Sequence, residues 1–71
     1  MMVYMLMHKG WFGDKIVQIY TAKEEIKLYN YTNANLYGFD KFLDWYIIDT
    51  KKDRKIDAFD FEQEIEARLR K

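Results

Sequence analysis

Nucleophilic catalysis needs a hydroxyl, thiol or amine beside a base, and this chain of 71 residues has no Cys, no Ser and a single histidine, His8. A triad cannot be assembled from that inventory. His8 closes a short alternating apolar stretch, where a lone imidazole is expected to be structural rather than an acid or base. Carboxylates come in close pairs, Glu24 with Glu25, Asp40 with Asp44 and Asp57 with Asp60. Glycosidase-type chemistry, however, needs two of them held apart across a cleft around a substrate, and a chain this short rarely encloses one. They read as solvated faces and helix caps. The glycines at 10, 13 and 38 fit neither the dinucleotide fingerprint nor a P-loop. The expectation is a non-enzymatic protein with no catalytic residue, no metal ligand set and no cofactor.

One segment carries oxygen ligands at suggestive intervals. In Asp49-Thr-Lys-Lys-Asp-Arg-Lys-Ile-Asp-Ala-Phe-Asp60, with Asp49 at position one, Asp53 falls at five, Ile56 at eight, Asp57 at nine and Asp60 at twelve. The segment resembles the calcium loop of EF-hand and dockerin proteins, which would imply a Ca²⁺ held by those aspartates and an exiting helix opened by Phe61. The loop is degenerate: Lys51 stands at a ligand position and Arg54 replaces the turn glycine. A calcium-regulated module therefore ranks third among the functional readings, and the plainer form of the segment is a charged hairpin or turn leading into a helix. The same stretch holds a basic run, Lys51, Lys52, Arg54 and Lys55, that could meet phosphates. Asp57, Asp60, Glu62, Glu64 and Glu66 follow it directly, so the charge is locally compensated and nucleic-acid binding is the runner-up.

Aromatic side chains are the strongest signal. There are thirteen (two Trp, six Tyr, five Phe). Seven lie between residues 29 and 46, and Trp11 and Phe12 sit beside Gly10 and Gly13 in what reads as a hairpin loop. Phe39, Phe42 and Phe61 are assigned to the core, which a thin domain must build from such residues. Large apolar side chains on a loop tip are costly to expose unless they fold back or meet a partner. Trp11 and Phe12 are taken as anchors of a protein contact, with Tyr31, Tyr37 and Trp45 widening it. The partner is another protein of unknown identity, a second copy of the chain included.

Composition bounds the rest. Twelve basic and twelve acidic residues cancel, so no global field selects nucleic acid or an anionic membrane. No apolar run approaches a membrane span of about 18 residues, and the first residues lack the features of a signal peptide, so a cytoplasmic location is expected. Abundant Tyr, Lys, Ile, Asp and Phe with no Pro is the composition of an A+T-rich genome, common among small phage and mobile-element proteins. The finer expectation is an accessory protein that blocks a host protein, in host takeover or anti-defence.

These residues must be positioned by few elements in one small α+β domain spanning residues 1–71. Val3 to His8 and Lys15 to Tyr20 read as a β-hairpin, with Val3, Met5 and Met7 on one face of the first strand, Tyr4, Leu6 and His8 on the other, and both faces expected to be buried. Thr21 with Glu24 forms a capping box for a helix starting at Ala22 and passing Ile26 and Tyr29. Its end is open between Asn30 and Gly38. Residues 39 to 49 fit a short helical turn and then a third strand from Trp45 to Asp49; without that strand, the hairpin needs an edge from a second chain. Ala58, Phe61, Ile65 and Leu69 form the apolar stripe of a C-terminal amphipathic helix.

Overall fold

The computed structural model describes residues 2–70. Strand β1 (Val3–His8) and strand β2 (Lys15–Thr21) pair antiparallel, with a bulge that sets Ile16 opposite Met7 and Gln18 opposite Leu6 and leaves Val17 between them. The loop between them closes tightly, because Gly13 adopts a φ of 128° and a Cβ on Gly10 would lie 2.7 Å from the Gly13 carbonyl oxygen. Thr21 and Glu24 form the expected capping box, the Thr21 N–H donating to Glu24 Oε1 at 2.9 Å. The first turn, Ala22–Glu24, is 3₁₀, and helix α1 proper runs Glu25–Asn35.

The asparagines of α1 do not break it. The Asn33 and Asn35 amides donate back to the carbonyls of Tyr29 and Tyr31 at 3.1 and 2.9 Å, so their hydrogen-bonding capacity is spent within the helix. Gly38, at a φ of 59°, turns the chain into the single-turn helix α2 (Asp40–Leu43). Strand β3 (Trp45–Asp49) follows, so the segment that fitted two templates adopts both in succession. Strand β4 (Arg54–Asp57) pairs with β3, so the segment takes the hairpin form of its plainer reading, a charged hairpin leading into a helix. Helix α3 (Ala58–Leu69) starts at once, its N-cap Asp57 accepting the Asp60 N–H at 2.7 Å.

The sheet is antiparallel throughout, in the order β2-β1-β3-β4. Leu6, Ile47 and Ile56 form a row across three strands, and with Tyr20 they meet Leu28 and Leu36 from the α1 side and Ala58, Phe61 and Ile65 of α3. Each fully buried Leu, Ile or Phe contributes about 1.5–3 kcal/mol of apolar transfer. All of this core lies on the Tyr4, Leu6, His8 face of β1. Its Val3, Met5, Met7 face carries no helix among the described residues, which corrects the expectation that both faces are buried. Ile16 and Ile19 on that side are 54% and 51% exposed. The result is an α+β two-layer domain, 18 Å in its shortest dimension.

Candidate functional site

At the end of the sheet where β1 runs into β2, the chain displays its largest apolar side chains. Trp11 and Phe12 are fully solvent-exposed at the hairpin tip. The Lys9 N–H donates to the Asp44 carbonyl at 2.8 Å, tying the root of that loop to the end of α2. Around α2, Tyr37, Phe39 and Leu43 are mostly exposed and Phe42 is 44% exposed. Phe42 stacks on Phe59 of α3 at 4.4 Å between centroids, and Phe39 leans on Phe42 at 6.3 Å. Beneath them Lys41 Nζ reaches Glu62 Oε1 at 2.7 Å with both side chains largely buried, a pair that clamps α2 onto α3. The tip and α2 thus form one aromatic end on a fixed base.

A second concavity, of about 490 Å³, lies between the β3–β4 turn and α3. Its wall is a matched charge network: the Tyr4 hydroxyl donates to Glu25 at 2.9 Å, Arg68 pairs with Glu25 at 2.7 Å, and Arg54 pairs with Glu64 at 2.7 Å. Desolvation and then the Glu25 carboxylate push the Tyr4 phenol up to about 12, so it stays protonated at neutral pH. Burial pulls the Glu25 carboxyl upward, but hydrogen bonds from Arg68 and Tyr4 outweigh it and hold the group below its ordinary value. Two of its cations, Arg54 and Arg68, are bound to anions of the protein itself, while Lys51 and Lys52 line it from the exposed turn. His8 lies apart from this network, its ring 4.5 Å from that of Trp45.

The residues singled out in the sequence separate into groups. Trp11, Phe12 and Tyr37 are exposed, and all but the Tyr37 hydroxyl, which donates to the Ala34 carbonyl, is free of polar engagement. Tyr31 and Trp45 are half-buried and pack against the core on the helix-covered side, Trp45 at the hairpin-tip end of the sheet opposite His8. Phe61 is buried as expected, but Phe39 and Phe42 are not core residues: α2 is one turn at the margin of the helical layer, and its rings stack on each other and on Phe59. Their spacing is that of buried helical positions, yet it belongs to a helix too short to cover the sheet.

The basic run is not one patch. Lys51 and Lys52 are exposed in the β3–β4 turn, and Arg54 lies between Glu64 and Asp49 beside the cleft. Lys55 projects to the opposite face of the sheet, its Nζ 4.5 Å from the Tyr46 ring centroid. Alternation along β4 puts neighbours on opposite faces, so the four cations do not converge. The aspartates compared with a calcium loop are also dispersed: Asp49 Oδ1 accepts the N–H groups of Lys51 and Lys52 at 3.0 and 3.2 Å, and Asp57 caps α3. Asp53 takes the left-handed turn position at a φ of 50°. Among the described residues no three His, Asp or Glu side chains group as metal ligands, and no helix is long and apolar enough to cross a membrane.

No protein-family model, curated protein or solved structure matches the chain.

Proposed function

We propose that this chain is a non-enzymatic protein-binding module whose contact surface is its aromatic end. The observation that carries this reading is the full exposure of Trp11 and Phe12 on a loop tied, through Lys9 and Asp44, to the exposed Tyr37, Phe39 and Leu43 around α2. Aromatic side chains supply large contact area at a low cost in conformational freedom, and each buries about 150–250 Å² on association. Two anchors and the α2 cluster therefore suffice for an interface near the usual size of about 800 Å² per partner. The mode of action is occlusion of a partner surface. The finer form of the proposal, resting on small size and A+T-type composition, is a cytoplasmic accessory protein of a phage or mobile element that blocks a host protein.

The test is affinity capture of the tagged chain from lysate of its native host, with and without nuclease, followed by reconstitution with purified partner. The reading requires one protein held regardless of nuclease and lost with Trp11→Ala/Phe12→Ala. Capture that survives both that variant and Phe39→Ala, with the fold intact, sinks it. Capture abolished by nuclease would move the function to the cations of the β3–β4 turn.

A further inference from the structure

We infer that Tyr46 is a positioning residue for the contact made by Trp11 and Phe12, its hydroxyl and the Asp14 carboxylate forming a strut that holds the hairpin tip in one conformation. The inference rests on the aromatic end being the contact surface, and it adds how that surface is kept ready.

On its own the tip is poorly built to carry anchors. Gly10 and Gly13 flank Trp11 and Phe12, and glycine leaves the backbone free to sample many conformations. Across the tip itself there is one backbone hydrogen bond, a long one, from the Gly13 N–H to the Gly10 carbonyl at 3.4 Å. Anchors on a loose loop must be ordered at the moment of association, and that cost is subtracted from affinity. A tip that is fixed beforehand avoids it.

Three consecutive residues after α2 take hold of the hairpin, each at a different point. The Asp44 carbonyl accepts the Lys9 N–H at 2.8 Å. The Trp45 ring lies 4.5 Å from the ring of His8, its cross-strand neighbour, on the helix-covered face. Alternation sends the next side chain, Tyr46, to the opposite face, where its hydroxyl donates to Asp14. The chain entering the tip is therefore held at His8 and Lys9, and the chain leaving it is held at Asp14. Only Gly10 to Gly13 lie between the held points.

Tyr46 is well placed to act as the fixed end of that strut. It is 7% exposed, with Lys55 Nζ 4.5 Å and Lys9 Nζ 6.0 Å from its ring centroid. The hydrogen bond to Asp14, ahead of burial, raises the phenol above its ordinary value, so the hydroxyl keeps its proton and donates at neutral pH. Tyr46 does not belong to the buried cluster of Leu6, Ile47 and Phe61. What its hydroxyl fixes is the exposed loop.

The experiment is ¹⁵N relaxation on the full chain and on Tyr46→Phe, Asp14→Ala and Asp14→Asn. In the wild type the amides of Gly10 to Gly13 should have order parameters near those of the strands, about 0.85. Tyr46→Phe deletes only the hydroxyl, and Asp14→Ala only the acceptor; each should bring these amides below about 0.6 while the strands stay rigid. Asp14→Asn keeps an acceptor oxygen and should hold the tip as the wild type does. With the captured partner in hand, Tyr46→Phe and Asp14→Ala should raise Kd about 10-fold and Asp14→Asn should not. If Tyr46→Phe fails to fold, Asp14→Ala decides, because Asp14 is exposed.

A wild-type tip already below about 0.6 overturns the inference, as does a tip that stays rigid in both Tyr46→Phe and Asp14→Ala. Variants that loosen the tip yet bind the partner as tightly as the wild type overturn it too. Capture that survives Trp11→Ala/Phe12→Ala is a different failure: it removes the aromatic end as the contact surface, while the relaxation data still decide whether the strut exists.

Discussion

Removing the cation of the Lys41–Glu62 pair should be far more damaging than removing the pair. Lys41 Nζ lies 2.7 Å from Glu62 Oε1, with side chains 17% and 4% exposed, and Glu62 Oε2 is buried without a hydrogen-bond donor. Lys41→Met leaves that carboxylate uncompensated, a change that costs about 3–5 kcal/mol at buried sites. A domain of this length has a total stability of about 4–11 kcal/mol at 0.05–0.15 kcal/mol per residue. A loss of about 3 kcal/mol should lower Tm by about 12–24 °C, and at the upper end the protein would be largely unfolded at room temperature.

Lys41→Met/Glu62→Met removes both charges and fills the site with apolar atoms of similar length. It should return to within about 1 kcal/mol of the parent. Glu62→Met alone should cost less than Lys41→Met, because the less buried ammonium can extend towards water on its flexible stem. Urea unfolding of the four proteins, followed by circular dichroism, closes the cycle with a coupling of about 3 kcal/mol. A Lys41→Met protein within about 0.5 kcal/mol of the parent, or a double variant no more stable than Lys41→Met, would refute the reasoning.

Asp57→Ala should cost about 1 kcal/mol through loss of the α3 cap, and a thermal melt should show Tm lower by about 4–8 °C. The folded Glu25 carboxyl lies below its ordinary 4.5, so its contribution is full above that pH and lost as pH falls through the folded value; Arg68→Met should flatten this acid limb of stability against pH. Tyr4, raised from 10.0 to about 12, contributes below pH 10 and loses that contribution as pH rises through about 12, so Tyr4→Phe should remove one late-titrating phenol from the alkaline absorbance curve. Trp11→Ala/Phe12→Ala should change unfolding stability by less than about 0.5 kcal/mol, since fully exposed side chains away from special features contribute little; a larger loss in urea unfolding would mean that the tip folds back onto the domain.

Much of the fold was legible in local pattern. The alternation of Val3 to His8, the Thr21–Glu24 box, the β-prone run from Trp45 and the stripe Ala58, Phe61, Ile65 and Leu69 each correspond to an observed element, although Leu69 at the end of α3 is 60% exposed and lies outside the core. β4 was legible only as one arm of a hairpin-or-turn alternative, because Arg-Lys-Ile-Asp has one apolar residue and its strand character comes from pairing with β3. The exposure of Phe39 and Phe42 was hidden for a related reason: helical spacing marks an apolar face, but it does not say whether the helix is long enough to reach the sheet. The exposure of Trp11 and Phe12 was not legible, because the cost of exposing them on a loop tip is met equally by folding back and by meeting a partner; the structure leaves them uncovered.

The edge strand also alters how the charges should be understood. As a linear run, Lys51 to Lys55 looks like one basic patch followed by compensating acids. Once Arg54–Asp57 is a strand, alternation sorts the same residues by face: Arg54 turns to Glu64 and Asp49 beside the helices, Lys55 lies over the Tyr46 ring on the other face, and Asp57 caps α3. A patch that seemed to ask for phosphate becomes two ion pairs made by Arg54, one lysine over an aromatic ring and two exposed lysines in the turn. Salt separates these alternatives physically. Phosphate contacts weaken steeply with added salt through counterion release. A partner held by the aromatic end should stay bound, because the apolar term is not screened.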